Sequence, residues 1–187
     1  MIYNYKKISR IIFENGILLF LILSVLPFLI LSYFVHPSWD DFEYAGIASK
    51  NGFFQSQYIW YFTWSGRYFS QAFLSSLNPL IFGSIAGYKI LTLIFILAFI
   101  FAVYLTVSEI ASGCLNVKQK LICTLSFCYL FVYGLPTSSL ALYWMASSVI
   151  YQLANILMII LAYYYIGFLR EESVTKKTLL IISLLIF

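Results

Sequence analysis

Three carboxylates, Asp40, Asp41 and Glu43, stand within four positions of a chain with only 7 Asp and Glu. Neighbouring carboxylates raise one another's pKa or hold a divalent cation such as Mg or Mn. Either property suits removal of a proton from a hydroxyl. On a helix Asp40 and Glu43 share a face, with Asp41 turned away by about 100°. A plainer reading makes the same residues a helix start: Ser38 caps it, and the acids occupy the first turn, where the helix dipole favours them. Three acids packed into so short a stretch favour a working site.

A second group is Trp64-Ser65-Gly66-Arg67-Tyr68. Arginine keeps its charge and presents a planar fork matched to phosphate oxygens, and the neighbouring glycine leaves room for a ligand. The plain alternative is an interfacial Arg67 that pairs with lipid headgroups or with the aspartates. A third group is Tyr143-Trp144-Met145-Ala146-Ser147-Ser148-Val149-Ile150-Tyr151. Trp144 and Tyr151 are seven apart, which predicts one shared helix face, and the small residues between them permit close packing. An aromatic anchor at a membrane surface explains the same residues. Cys114, Cys123 and Cys128, with His36 as the sole histidine, form no metal or redox framework, so the thiols read as small hydrophobes. A glycine-rich phosphate loop, an HExxH pair and a nucleophile elbow are all missing from the sequence.

The elements that must hold these groups follow from composition. Of 187 residues, 63% are hydrophobic, 20% aromatic and 10% charged, which is outside the range of soluble domains. A net charge of +4 is too small for a surface built to neutralise nucleic-acid phosphates, so no nucleic-acid partner is expected. The fold class expected is all-α, a polytopic transmembrane helix bundle in one domain, with membrane lipid as its surroundings. Spans are predicted at about 12–35, 88–109, 119–136 and 146–169, with an incomplete segment at 178–187. The break at Gly134-Leu135-Pro136 separates the third from the fourth. Because the last segment is too short to cross, the chain is expected to be an N-terminal fragment of a longer protein.

Lys6, Lys7, Arg10, Lys118, Lys120, Arg170, Lys176 and Lys177 fall on one side of this arrangement, and Lys50, Arg67 and Lys89 on the other. Basic residues favour the cytoplasm, which predicts a cytoplasmic N-terminus in a multi-pass membrane protein. Residues 36–87 then form an outer loop. Its mixture of Trp, Tyr and Phe with Gln, Ser and Thr, and Arg67 in its middle, predict one or two helices lying on the membrane surface.

An Asp-Asp pair just after the first span, surface helices and a Trp-x-Gly-Arg-Tyr segment together resemble the GT-C superfamily of polytopic glycosyltransferases. More narrowly, Asp40-Asp41-Phe42, Gly66-Arg67-Tyr68 and Trp144-Met145-Ala146-Ser147-Ser148-Val149-Ile150-Tyr151 resemble the motifs of a bacterial membrane family, DUF6056. The resemblance covers residues 1–170; Ala146-Ser147-Ser148 departs from it by lacking a glycine. It implies an enzyme of the bacterial cell membrane that moves a sugar from a polyprenyl-phosphate carrier to a glycan or lipid acceptor, with inversion at the anomeric carbon. One of Asp40 and Asp41 would be the base and the other would orient the acceptor or hold a metal. Arg67 would bind the carrier phosphate, and Glu43, Trp64, Trp144 and Tyr151 would line the substrate site. No tightly bound cofactor is implied, although a divalent cation suits the aspartates. Rival readings are a transporter or flippase for an anionic lipid-linked glycan, which would bind without bond-making, and a non-catalytic membrane subunit. Transport sites usually carry charges near the bilayer midplane, and the predicted spans have none at their centres.

Overall fold

The structure, a computed structural model, describes residues 2–170, with side chains from Ile8 onward. The predicted segment 178–187 lies outside the described residues. Eight helices follow in order: α1 Ile2–Leu31, α2 Trp39–Thr63, α3 Tyr68–Ser76, α4 Ile85–Ile110, α5 Val117–Gly134, α6 Ser138–Tyr143, α7 Met145–Ser147 and α8 Leu153–Arg170. Short 3₁₀ turns occupy Ser32–Phe34 and Pro79–Phe82, and a π turn at Ser148–Gln152 joins α7 to α8. Among the described residues there is no strand.

Three segments, Ile8–Phe34, Ile85–Ile110 and Met145–Arg170, are long and apolar enough to cross a membrane. At 1.5 Å per residue a 26-residue helix reaches roughly 39 Å, more than the ~30 Å of hydrocarbon it must cross. Their apolar side chains, among them Phe13, Phe20, Leu23, Ile94 and Phe101, are exposed. Contiguous exposed apolar faces of this length suit lipid, not water. The segments begin and end within a few residues of three of the predicted spans. The fourth predicted span, 119–136, forms α5, but Lys118, Gln119 and Lys120 lie inside its first turn and shorten its apolar run.

The chain divides into two compact units: residues up to Leu29, Ala98–Leu135 and those from Ile156 make one, and Ile30–Leu97 with Pro136–Asn155 make the other. The first packs Val25, Phe99, Ala102, Val103, Cys128 and Ile156 into an apolar core. Polar groups tie its helix ends. Glu14 accepts from Arg10 (3.0 Å) and from Gln119 (3.3 Å), and it pairs with Lys118 at 3.7 Å, so a carboxylate sits at the start of α5. Arg170 donates to the carbonyls of Glu109 and Ile110 at the C-terminal end of α4. Cys123 is exposed on α5 and Cys128 buried, so only the latter packs in the core as a small hydrophobe.

The second unit carries every residue singled out for chemistry. Its core joins Tyr44 and Trp60 of α2, Leu74 of α3, Tyr88 and Phe95 of α4, and Met145, Ala146 and Val149. The loop expected to be helical carries α2 and α3. Their boundary at Trp64–Arg67 is non-helical, and α2 is kinked at Gly52, whose φ of 73° is a conformation glycine adopts without strain. Ser56, fully buried, caps the kink by donating to the Gly52 carbonyl at 2.6 Å. A second glycine matters for packing: a Cβ on Gly87 would lie 2.8 Å from Pro79 Cβ, so only glycine lets α4 approach the Pro79 turn.

Candidate functional site

The site begins where the 3₁₀ turn Ser32–Phe34 gives way to α2. The backbone turns extended at Ser38, whose N–H donates to Asp41 Oδ2 at 2.9 Å, with the Ser38 hydroxyl 3.5 Å away. This is the reciprocal arm of a capping box, with an aspartate where glutamate is usual. The helix start expected from the sequence is therefore present, and it is built through Asp41.

Asp41 does more than cap. Its side chain is 0% exposed, and its two oxygens gather donors from distant elements. Tyr88 of α4 donates its hydroxyl to Oδ2 at 2.8 Å, and the Ala146 N–H donates to Oδ1 at 3.0 Å. Tyr88, also fully buried, accepts the Met145 N–H at 3.1 Å, and its oxygen lies 3.1 Å from the Tyr143 carbonyl. Asn78 completes the node by donating to the Asp41 carbonyl at 3.0 Å, while its own oxygen accepts from Leu80. Burial pushes the Asp41 carboxyl above its ordinary value; the hydrogen bonds from Ser38, Tyr88 and Ala146 pull it down without offsetting burial. Tyr88, Asn78 and the Ala146 N–H are absent from the sequence reading. The signal available was a buried polar residue at the right helical spacing, which local pattern alone does not separate from an ordinary core position.

Asp40 and Glu43 take the other face of α2. Glu43 is exposed and Asp40 half-buried, as the shared-face spacing predicts. Both lie near Tyr44, and so does Arg67 from the α2–α3 corner. Burial is the main reason the Tyr44 hydroxyl has a raised pKa, a hydrogen bond from Gln71 lowers it, the charges of Asp40 and Glu43 raise it, and Arg67 lowers it. The geometric link between the Arg67 corner and α2 runs through Gln71, whose N–H donates to the Arg67 carbonyl at 3.0 Å and whose Nε2 lies 3.4 Å from the Tyr44 hydroxyl. Tyr44 is held in turn by Trp60, with ring centroids 4.3 Å apart.

The aromatic candidates divide. Trp64 ends α2 with 73% of its surface exposed, beside Arg67 in sequence and free to stack on a ligand. Gly66 has ordinary space: a Cβ there would meet only Tyr61, at 3.7 Å. Trp144 does not share a helix face with Tyr151 in the way their spacing predicts. Its backbone is extended, α7 starts after it, and the π turn at 148–152 changes the angular step per residue. Tyr151 is exposed, whereas the Trp144 indole nitrogen is buried without a partner. Trp144 instead lines an apolar groove of about 400 Å³ with Phe34, Val35, Ser38, Leu140 and Tyr143. Burial pushes the Tyr143 hydroxyl up to about 12, so it stays protonated there at neutral pH.

The aspartate pair does not fit a divalent cation. Asp41 already receives protein donors on both oxygens and points away from Asp40. Among the described residues no group of three His, Cys, Asp or Glu side chains is placed to hold a metal. No protein family, curated protein or solved structure matches the chain.

Proposed function

We propose that this protein is a membrane glycosyltransferase of the GT-C type, moving a sugar from a polyprenyl-phosphate carrier to a glycan or lipid acceptor at the outer face of a bacterial membrane. The observation that carries this reading is the docking of the Arg67 corner on the helix of Asp40 and Glu43 through Gln71, which bonds the Arg67 carbonyl at 3.0 Å and reaches the Tyr44 hydroxyl at 3.4 Å, while Asp41 is turned inward. A carboxylate and a guanidinium at one surface are the two charges that sugar transfer from a phosphate requires. Asp40, open to the surface, takes the proton from the acceptor hydroxyl. The acceptor oxygen forms its bond to the anomeric carbon from the face opposite the phosphate, so the configuration inverts. The bond from that carbon to the phosphate oxygen breaks, and Arg67 neutralises the charge that grows on the departing phosphate. Glu43 and Trp64 border this surface, and the groove beside Ser38 and Trp144 gives the carrier's apolar chain a seat. No step needs a metal.

The test is transfer from a labelled polyprenyl-phosphate sugar by the purified, reconstituted protein. Asp40→Asn should insert and melt as wild type does yet lose transfer by ~10²-fold or more, the scale of a missing general base. Undiminished transfer by that variant would sink the assignment, and wild-type protein that forms no glycosidic bond would end the enzyme reading in favour of transport.

A further inference from the structure

Within the second unit, several buried polar groups have no hydrogen-bond partner among the described residues. Gln71 of α3 is buried, with its Nε2 3.4 Å from both the Tyr44 hydroxyl and Ser65 Oγ, and its Oε1 has no partner. One turn along, the buried Ser75 hydroxyl is also unmet. α3 packs against the π turn, where buried Gln152 has an unmet Nε2. Trp60, stacked on Tyr44, keeps an unmet buried Nε1. Folded proteins leave few such atoms, and each is destabilising unless something satisfies it. Here an acceptor, a hydroxyl and two donors are unmet on elements in contact. None is charged, so what satisfies them is neutral and carries both donors and acceptors. Hydroxyl groups do both. Gln71 also stands one turn after Arg67, its N–H bonded to the Arg67 carbonyl at 3.0 Å, so an anion at Arg67 and hydroxyls at Gln71 can belong to one molecule.

We infer that Gln71, with Ser75 and Gln152, forms a subsite that reads the hydroxyl groups of a sugar whose phosphate lies at Arg67. This rests on the glycosyl-transfer reading and adds the residue that selects the sugar. The subsite is tested by equilibrium binding to the whole protein, in a detergent without a sugar headgroup. The probes are inorganic phosphate, methyl hexosides, hexose 1-phosphates and their monodeoxy derivatives. A hexose 1-phosphate should bind on the order of tenfold more tightly than phosphate alone, and one monodeoxy derivative should lose that advantage. Gln71→Leu should abolish the advantage and the discrimination while leaving phosphate affinity unchanged, whereas Arg67→Ala should weaken phosphate too. Tighter binding of methyl hexosides than of hexose 1-phosphates would place an acceptor sugar there, not the donor sugar, and overturn the link to Arg67. If Gln71→Leu fails to fold, Gln71→Asn and Gln152→Leu carry the same comparison. Equal affinity for phosphate and hexose phosphate, or a Gln71 variant that still discriminates, would show that ordered water alone fills the seam and would overturn the subsite. Because binding is read apart from turnover, Gln71-dependent selectivity without transfer leaves the subsite standing while the enzyme reading falls, and transfer with an indifferent Gln71 does the reverse.

Discussion

Asp40 and Asp41 are neighbours in sequence whose side chains leave the helix about 100° apart, and that rotation gives them different work. Asp40 faces the surface with Glu43. Asp41 faces the core and holds the Ser38 N–H, the Tyr88 hydroxyl and the Ala146 N–H. Replacing Asp41 with Ala leaves two buried donors, the Tyr88 hydroxyl and the Ala146 N–H, unmet together with the Ser38 N–H and should cost about 3–5 kcal/mol of stability, against little for Asp40→Asn. Thermal unfolding in detergent distinguishes them. Burial also sets a pH dependence. The folded protein binds the Asp41 proton more tightly than the unfolded chain, whose carboxyl titrates near the ordinary 3.8. The stability this group contributes is therefore fully present below that value and lost as pH rises through the folded-state pKa. Relative to the non-titrating Asp41→Asn variant, the wild-type melting temperature should fall across that window. A wild-type advantage that grows with rising pH would contradict burial as the dominant influence. The helix start at Ser38 was legible because a cap and its acids lie within one turn. The rest of the node was not, since Asn78, Tyr88 and Ala146 stand 37, 47 and 105 residues from Asp41.

At the scale of elements, two corners position the site. One is the α2–α3 corner, which Gln71 ties to Tyr44 and Ser65. The other is the Pro79–Phe82 turn, which Asn78 binds to the start of α2 and against which α4 closes at Gly87. Alanine at position 87 would press on the rigid Pro79 ring and on Ser84 Oγ, which accepts the Gly87 N–H at 2.9 Å. Overpacking of this kind costs about 1–3 kcal/mol. Gly87→Ala should therefore lower the unfolding midpoint and loosen Tyr88, whereas Gly46→Ala, where a Cβ meets nothing within 4 Å, should not. Denaturant titration of both variants checks the contrast. The long charge-free apolar runs of α1, α4 and α8 made these helices readable in the sequence. The π turn at 148–152 was not readable, because its extra residue per turn is a compromise between packing surfaces and leaves no mark in composition.

For the molecule as a whole, the division of polar and apolar surface fits lipid. Long apolar faces lie outside, and buried polar residues concentrate in the second unit, from Ser32 and Asp41 through Gln71 and Asn78 to Gln152. If the N-terminus is cytoplasmic, as the distribution of basic residues predicts, exposed Cys114 between α4 and α5 would lie inside the cell and the Ser65–Gly66 corner outside. In a Cys123→Ser, Cys128→Ser background, a membrane-impermeant thiol reagent should label Cys114 only after cells are permeabilised. A Ser65→Cys variant should label in intact cells, and the opposite pattern would invert the orientation.

The existence of the apolar helices, the start of α2 and the shared face of Asp40 and Glu43 were determined by the sequence alone. Each depends on hydrophobic runs, cap chemistry or helical spacing, which act within a turn or two. Only the tertiary structure decided that Asp41 faces inward and that Gln71 ties the Arg67 corner to Tyr44 of α2. Those outcomes depend on donors and packing surfaces many turns away along the chain, brought together only when the helices close on one another.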